Sequence, residues 1–384
     1  MPEDTSNENQ SLNLPKQSME ILSHSAAGRV HAPRQIGLSS SLNEILAFAR
    51  KEDASDVHLS AQNPAYFRKF GRLTSMTSDI LSAQHILSLL MEALPSETIK
   101  KFKKTGDLEY VHTIHGYGRF RMVIMKQRTG LELVVRLISM EIPRFAATGM
   151  PTSCASLIKW SQGIVLVTGP AGCGKTTTLS TLIEMINQRR YEHIVTIEDP
   201  IEIVYEPELC KITQRQVNMH TLSQANALRA ALREDPDILV VGELKDLSTV
   251  QLAIAAAETG HLVFATMNTV NAVQTISRLI DSFPLEEQQV VCNLISESLR
   301  GVICQQLIPK KDGSGMVAAY EVLLNIPAVA NHIRKGTIVQ IENAIITSRS
   351  LGMVLMSHSL NTLAANGIIS EEEVRERSIN DMTY

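Results

Sequence analysis

The sequence predicts an α/β protein in which a smaller N-terminal α+β domain precedes a core built on a parallel sheet. Its 384 residues, 44% of them hydrophobic, exceed what one ordinary core needs. In the second half, four apolar segments alternate with helical stretches, a pattern typical of a parallel sheet with helices on both faces: "GIVLVTG", "HIVTIED", "DILVVGE" and "HLVFATM".

The N-terminal half contains shorter segments with alternating polarity. A helix is expected from Ser41, which caps the first turn, with Glu44 completing a capping box. A second helix is expected over residues 83–103. Strands are expected where apolar and polar residues alternate, in "DVHLS", "AYFRKFGRL", "DLEYVHTI", "GRFRMVIMKQ" and "LELVVRLI".

Composition suggests where the chain divides. The first residues are rich in Ser, Asn, Gln and Pro, which predicts a disordered tail with one short helix near "SMEILSH". "SMEIPRFAATGMPTS" predicts a linker, and the chain after Pro284 reads as mostly helical, broken by a hairpin at "IPKKDGSGMVAAYEVLL". The expected parts are a tail (1–40), an N-terminal domain (41–138), a linker (139–153) and a core with C-terminal helices (154–384).

Charge and cysteine content narrow the function classes. There are 36 basic and 40 acidic residues, giving a net charge of -4. No basic tract is present, so we expect no nucleic-acid partner. The five cysteines form no C-x-x-C pair and are expected to be buried thiols. With no signal peptide and no apolar run near the ~20 residues of a membrane helix, we expect a cytoplasmic protein.

One short motif carries most of the chemistry. "GPAGCGKT" matches G-x-x-x-x-G-K-[ST], follows a predicted strand and opens a predicted helix. In such a loop the backbone N–H groups surround phosphates, Lys175 neutralises them and the Thr176 hydroxyl ligates Mg²⁺. The predicted phosphate-binding set is Gly169, Pro170, Ala171, Gly172, Cys173, Gly174, Lys175, Thr176 and Thr177.

Acidic residues end two of the other predicted strands. Glu243 follows "DILVVG", where a carboxylate can serve the Mg²⁺ and its water. "TIEDPIE" brings together Glu198, Asp199 and Glu202, and three such close acids predict a role toward a cation or a water. Because ligands bind at the carboxyl ends of parallel strands, both groups are expected to lie at the nucleotide.

These motifs together resemble a known family. "IEDPIE", "LREDPDILVVGE" and "AAETGHLVFATMNT" resemble the Asp box, Walker B segment and His box of the ATPases of type II secretion and type IV pili. "ASDVHLS" and "SLGM" are similar to the retraction branch, the PilT-like twitching-motility ATPases. The resemblance implies a PAS-like N-terminal domain and a RecA-like core that hydrolyses ATP with Mg²⁺.

The resemblance also implies roles for single residues. Glu202 takes the position of the base that activates water, Glu243 that of the Walker B carboxylate and metal ligand, and His261 that of a γ-phosphate sensor. The family's N-terminal domain supplies arginines to a nucleotide in a neighbouring subunit of a hexameric ring. The candidate arginines here are Arg119, Arg121, Arg128 and Arg136.

The function implied is a hexameric motor that uses ATP to drive type IV pilus retraction. Its implied partners are an inner-membrane platform protein and a second retraction ATPase, which would hold it at the cytoplasmic face of the inner membrane. Assembly ATPases of the family commonly carry a C-x-x-C zinc module, and this chain has none.

Three alternatives stay open. One is a pilus assembly or secretion ATPase. Another is a weakly catalytic accessory ring subunit, because Asn268 stands where the family usually has a second His and Lys245 where the retraction branch usually has Arg. "NHIRKG" also matches the branch's helical motif only in part. A small-molecule kinase with the same phosphate loop is the third.

Overall fold

A computed structural model describes residues 40–382 of the chain. The expected tail, with its short helix, lies outside these residues except for its last position. Two sheets form the described part, one on each side of the expected linker. The predicted α/β fold class is confirmed, whereas the exact domain boundaries stay a prediction.

The first sheet has six antiparallel strands in the order β3-β2-β1-β6-β5-β4. Four of the five strands expected in this half of the chain are present, whereas the single strand predicted at "AYFRKFGRL" is wrong, because the chain turns at Phe70 and Gly71 (φ 48° and 80°) and pairs β2 with β3 as a hairpin. The strands are β1 (Asp56–Ser60), β2 (Tyr66–Lys69), β3 (Arg72–Ser75), β4 (Asp107–Ile114), β5 (Gly118–Gln127) and β6 (Gly130–Leu137).

Three helices accompany this sheet: α1 (Leu42–Lys51), α2 (Ala83–Ala93) and α3 (Ser96–Thr105). The predicted capping box of α1 is confirmed, with the Ser41 hydroxyl accepting from the Glu44 N–H. The prediction of a single helix over residues 83–103 is wrong. Leu94 is extended before Pro95, as residues before proline prefer, and this break separates α2 from α3.

The two faces of the first sheet differ because side chains alternate along each strand. On β5, Phe120 and Met122 are fully buried in a core that also contains residues of α1 and α2. Arg119 and Arg121 alternate with them and therefore lie on the opposite face. The sheet thus presents its arginines away from its own core.

The second sheet has seven strands in the order β13-β12-β7-β11-β10-β8-β9, and all but the edge strand β13 run parallel. The four apolar segments form β7 (Gly163–Thr168), β8 (His193–Glu198), β10 (Ile238–Val241) and β11 (Leu262–Met267). Sequence reasoning missed β9 (Lys211–Gln216), whose residues are mostly half-buried and polar.

The predicted hairpin is confirmed as β12 (Leu299–Pro309) and β13 (Met316–Leu324), although β12 begins well before the expected segment. It does not merely interrupt a helical region. β12 pairs in parallel with β7, the strand that leads into the phosphate loop. The C-terminal part of the chain therefore completes the central sheet.

Helices cover both faces of this sheet, as predicted. Leu166 on β7 packs in the core that includes α5 to α8, whereas Val167 packs in the core that includes α4. The helices are α4 (Lys175–Asn187), α5 (Gln224–Ala231), α6 (Leu247–Glu258), α7 (Ala272–Asp281), α8 (Leu285–Ser298), α9 (Pro327–Arg334), α10 (Ile341–Thr347), α11 (Met356–Ala365) and α12 (Glu371–Met382).

Two expectations drawn from composition can be compared with the described residues. All five cysteines are free and buried, as predicted. Within residues 40–382, no helix combines the length and apolar character that crossing a bilayer requires.

One buried carboxylate connects the hairpin to two helices. Glu321 of β13 is only 5% exposed. Its Oε1 accepts from the N–H of Ala272 at 2.7 Å and its Oε2 from the N–H of Met356 at 3.2 Å. These are the first residues of α7 and α11, whose terminal N–H groups have no partner within the helix. Glu321 therefore fixes both helix ends to the sheet.

We expect Glu321→Ala to lower the free energy of unfolding by about 3 kcal/mol, because it leaves two buried N–H groups unpaired. Glu321→Gln should cost less, since the amide oxygen still accepts one hydrogen bond. Thermal and denaturant unfolding would measure both, with the exposed Glu376→Ala on α12 as control. If Glu321→Ala and Glu376→Ala had the same free energy of unfolding, Glu321 would not stabilise the two helix ends.

Candidate nucleotide-binding site

The phosphate loop lies at the carboxyl end of β7 and leads directly into α4. Gly174 precedes the first residue of α4 with a left-handed backbone (φ 90°), which favours glycine. A Cβ on Gly169 would lie 2.3 Å from the backbone oxygen of Gln305, so this position has no space for a side chain. The loop therefore opens at the N-terminus of α4, where free N–H groups favour an anion.

The ammonium group of Lys175 is held by three oxygens. Nζ donates to the carbonyls of Gly169 at 2.7 Å and Pro170 at 2.9 Å, and to Oδ1 of Asn268 at 2.8 Å. Burial lowers the pKa of Lys175, an effect opposed by Cys173 and Glu243. The lysine is thus positioned at the mouth of the loop, while Thr176 beside it is exposed.

Asn268 links Lys175 to the acid that ends the next strand. It follows β11, and its Nδ2 donates to Oε1 of Glu243 at 2.6 Å. The other oxygen of Glu243 lies 3.2 Å from Nζ of Lys245. Two residues at which the sequence departs from its resemblance, Asn268 and Lys245, therefore both contact Glu243. An asparagine serves here because its amide accepts and donates at once.

The three acids of "TIEDPIE" have different surroundings. Oε1 of Glu198 accepts from Oγ1 of Thr196 at 2.6 Å and Nε2 of Gln214 at 3.0 Å. Burial raises the pKa of Glu198, the two hydrogen bonds oppose the shift, and the charge of Glu202 adds to it. Burial also raises the pKa of Asp199, as does the neighbouring Glu109. Glu202 keeps 22% of its side chain exposed.

Two arginines of the first sheet approach these acids within the same chain. Nη1 of Arg121 lies 3.4 Å from Oε1 of Glu202, and its Nε donates to Glu109. Burial lowers the pKa of Arg119, against the opposing charges of Glu198 and Glu202. Its Nε has no hydrogen-bond partner among residues 40–382. The resemblance implies supply to a neighbouring subunit, whereas the structure brings Arg121 to Glu202 of its own chain.

The other two candidate arginines are not brought to these acids. Nε of Arg136 binds Oδ1 of Asp56 on the adjacent strand β1, at 3.0 Å. Arg128 is exposed in the turn after β5. Arg136 is directly opposite Arg121 across the β5–β6 pair, so it adds positive charge to the same face of the sheet.

The structure does not bring His261 to the phosphate loop. His261 precedes the first residue of β11, and its carbonyl accepts from the N–H of Gly163 at the start of β7. The loop follows the other end of β7, about 20 Å away at ~3.3 Å per residue. Within one chain, His261 therefore lies at the opposite end of β11 from Lys175, and Asn268 occupies the end of β11 at the loop.

Sequence reasoning missed two residues that contact this site. Glu109 binds Arg121, and Gln305 of β12 donates from Nε2 to the carbonyl of Cys173 in the loop. Neither lies in a recognised motif. The position of Glu109 depends on the register of the β4–β5 hairpin, and that of Gln305 on the pairing of β12 with β7, a strand far away in the sequence.

Comparison with known proteins shows the class of the chain. A match to the family described as "Type II/IV secretion system protein" covers residues 34–373. The chain belongs to this family, which confirms the resemblance inferred from the motifs.

Individual relatives point to the retraction branch. The chain is 42% identical over 337 residues to the type IV pilus retraction ATPase PilT of Pseudomonas aeruginosa, covering 88% of this chain and 98% of the relative. It is 38% identical to a twitching motility protein of Neisseria gonorrhoeae, with 82% and 84% covered. A crystal structure of the pilus retraction motor PilT with bound ADP is similar with a TM-score of 0.78, at 38% identity, over 88% of this chain and 96% of the other.

We expect Asn268→Asp to weaken binding of an ATP analogue about ten-fold. The new carboxylate would face Glu243 and the incoming phosphates, and one charge-assisted contact is on the scale of ~1.5–3 kcal/mol. Titration of a fluorescent ATP analogue would measure the effect. Asn293→Asp on the exposed side of α8 is the matched control. Unchanged binding by Asn268→Asp would show that Asn268 does not face the phosphates.

Proposed function

We propose that this protein is a hexameric ATPase motor that drives type IV pilus retraction. One observation carries the proposal: Lys175, Glu243 and Glu202 all follow the carboxyl ends of strands at one edge of the central sheet. Arg121 of the first sheet contacts Glu202 there. The retraction relatives, similar over nearly their whole length, support mechanical work as the use of the ATP.

The loop and the first turn of α4 bind the phosphates. Lys175 exchanges its contact with Asn268 for a phosphate oxygen, and backbone N–H groups of residues 169–177 face the remaining oxygens. Thr176 and Glu243 fit a Mg²⁺ ion in their chemistry, because Thr176 offers an exposed hydroxyl next to Lys175 and Glu243 a carboxylate that Asn268 links to Lys175. Bound there, the ion would neutralise charge on the phosphates.

Glu202 is the better of the two candidate bases. Glu198 is hydrogen-bonded by Thr196 and Gln214, which fix its carboxylate inside the sheet. Glu202 contacts Arg121 and remains partly exposed, so it can accept a proton from water. Arg121, in contact with Glu202, would stabilise charge developing on the transferred phosphoryl group.

The subunit arrangement and partners follow from the same proposal. The motor is a homohexamer that contacts an inner-membrane pilus platform protein at the cytoplasmic face of the membrane, with a second retraction ATPase as a further partner. Residues 41–138 form the arginine-bearing domain, 139–153 the linker and 154–384 the ATPase domain. Because Asn268 and Lys245 both contact Glu243, the weakly catalytic accessory subunit is the second candidate.

Lys175→Ala should abolish ATP hydrolysis, because the phosphates lose their main positive partner. Glu202→Gln should bind ATP normally but hydrolyse it at least 100-fold more slowly, since the base is lost. Phosphate release without an added acceptor, together with nucleotide binding, measures both and separates an ATPase from a kinase. An inactive Glu198→Gln beside an active Glu202→Gln would move the base to Glu198.

Arg121→Ala should lower turnover at least 100-fold while ATP still binds, because the lost charge acts on the transition state. Since Arg121 reaches Glu202 of its own chain, hexamers mixed from Lys175→Ala and Arg121→Ala subunits should stay inactive. Lys69→Ala on β2 is the control for loss of a basic residue from this sheet. Recovery of activity on mixing would assign the arginine to the neighbouring subunit.

A further inference from the structure

Gln305 lies beneath the phosphate loop. It is on β12, which pairs in parallel with β7 so that Cys304 is opposite Thr168, the last residue before the loop. The side chain of Gln305 is buried, with the residue only 2% exposed. A polar side chain so completely enclosed is normally fixed by its partners, and here they belong to the loop.

The phosphate loop contacts both the side chain and the backbone of Gln305. Nε2 of Gln305 donates to the carbonyl of Cys173. A Cβ on Gly174 would lie 3.0 Å from the same Nε2, and a Cβ on Gly169 would lie 2.3 Å from the Gln305 carbonyl oxygen. Gln305 therefore leaves no room for a larger residue at either glycine. Its hydrogen bond to the Cys173 carbonyl fixes the turn just before Lys175.

The other atom of the amide is unsatisfied. Oε1 of Gln305 is buried and has no hydrogen-bond partner in the described part of the chain. A buried acceptor without a partner destabilises a fold, so stability alone does not account for glutamine at this position. The Nε2 contact with the loop is what the residue supplies.

We propose that Gln305 is a positioning residue for nucleotide binding, acting through the loop and without touching the nucleotide. Its amide holds the Cys173 carbonyl so that the following N–H groups and Lys175 face the phosphates before ATP arrives. A preorganised site avoids the entropy cost of ordering the loop on binding. The inference rests on the proposed function, because it assumes that ATP binds at this loop.

The next residue provides a matched comparison. Gln306 is also buried, at 7% exposed, and as the following residue on β12 its side chain points to the other face of the sheet. Within the described residues, its side chain makes no hydrogen bond with residues 169–177. Two adjacent buried glutamines thus differ chiefly in whether they hold the loop.

The test replaces each glutamine with methionine, which keeps the length of the side chain but removes the amide. Gln305→Met should weaken binding of an ATP analogue about five- to ten-fold and raise KM similarly, with kcat at saturation within about two-fold of wild type. Its thermal unfolding temperature should stay close to that of wild type, because removal of the unpaired Oε1 acceptor offsets the loss of the donor to the Cys173 carbonyl. Gln306→Met should leave Kd and KM within about two-fold.

A second variant keeps the shape of the side chain. Gln305→Glu cannot donate to the Cys173 carbonyl when ionised, and it should weaken binding at least as much as Gln305→Met. Unchanged Kd in both Gln305 variants, with wild type binding ATP and Lys175→Ala not binding it, would overturn the inference alone. The inference would also be overturned if Gln306→Met weakened ATP binding equally, or if binding weakened only together with a lower unfolding temperature. Either result would mean that Gln305 only stabilises the core. If wild type and Lys175→Ala bound the ATP analogue equally, the proposed function itself would be rejected.

Discussion

The arrangement of the site depends on one side chain, Asn268, which bridges Lys175 and Glu243. Its carbonyl oxygen accepts from the lysine and its amide donates to the carboxylate, so it joins the ends of the neighbouring strands β10 and β11 to the loop after β7. The bridge exists because parallel strands place their carboxyl ends at one edge of the sheet. A bound phosphate must compete with it for the ammonium group of Lys175.

A second constraint lies between the two sheets. Alternation along β5 places Phe120 and Met122 in the core of the first sheet and Arg119 and Arg121 on its other face. That face lies against the acids that follow β8, where Arg121 meets Glu202. The contact joins an arginine of one sheet to an acid of the other, so movement between the sheets would change the surroundings of the proposed base.

Several features could be predicted from local pattern because they depend on neighbours in the sequence. The phosphate loop, the four apolar strands and the capping box at Ser41 and Glu44 all have short-range signatures. The failures involve partners distant in sequence. β9 has mostly half-buried polar residues, and the early start of β12 and its place beside β7 come from pairing rather than from local pattern. The break at Pro95, by contrast, has a local signal, because the residue before a proline disfavours the helical conformation.

The sequence by itself determined the class of protein, the phosphate loop and the acids available to it, because residue type and spacing define the chemistry of those motifs. Only the tertiary structure decided which candidates meet. It placed His261 at the far end of β11, bound Arg136 to Asp56 and brought Arg121 to Glu202 and Gln305 to the loop. The reason is physical: strand order and the alternation of side chains across a sheet determine these contacts, and both depend on pairing between segments far apart in the chain.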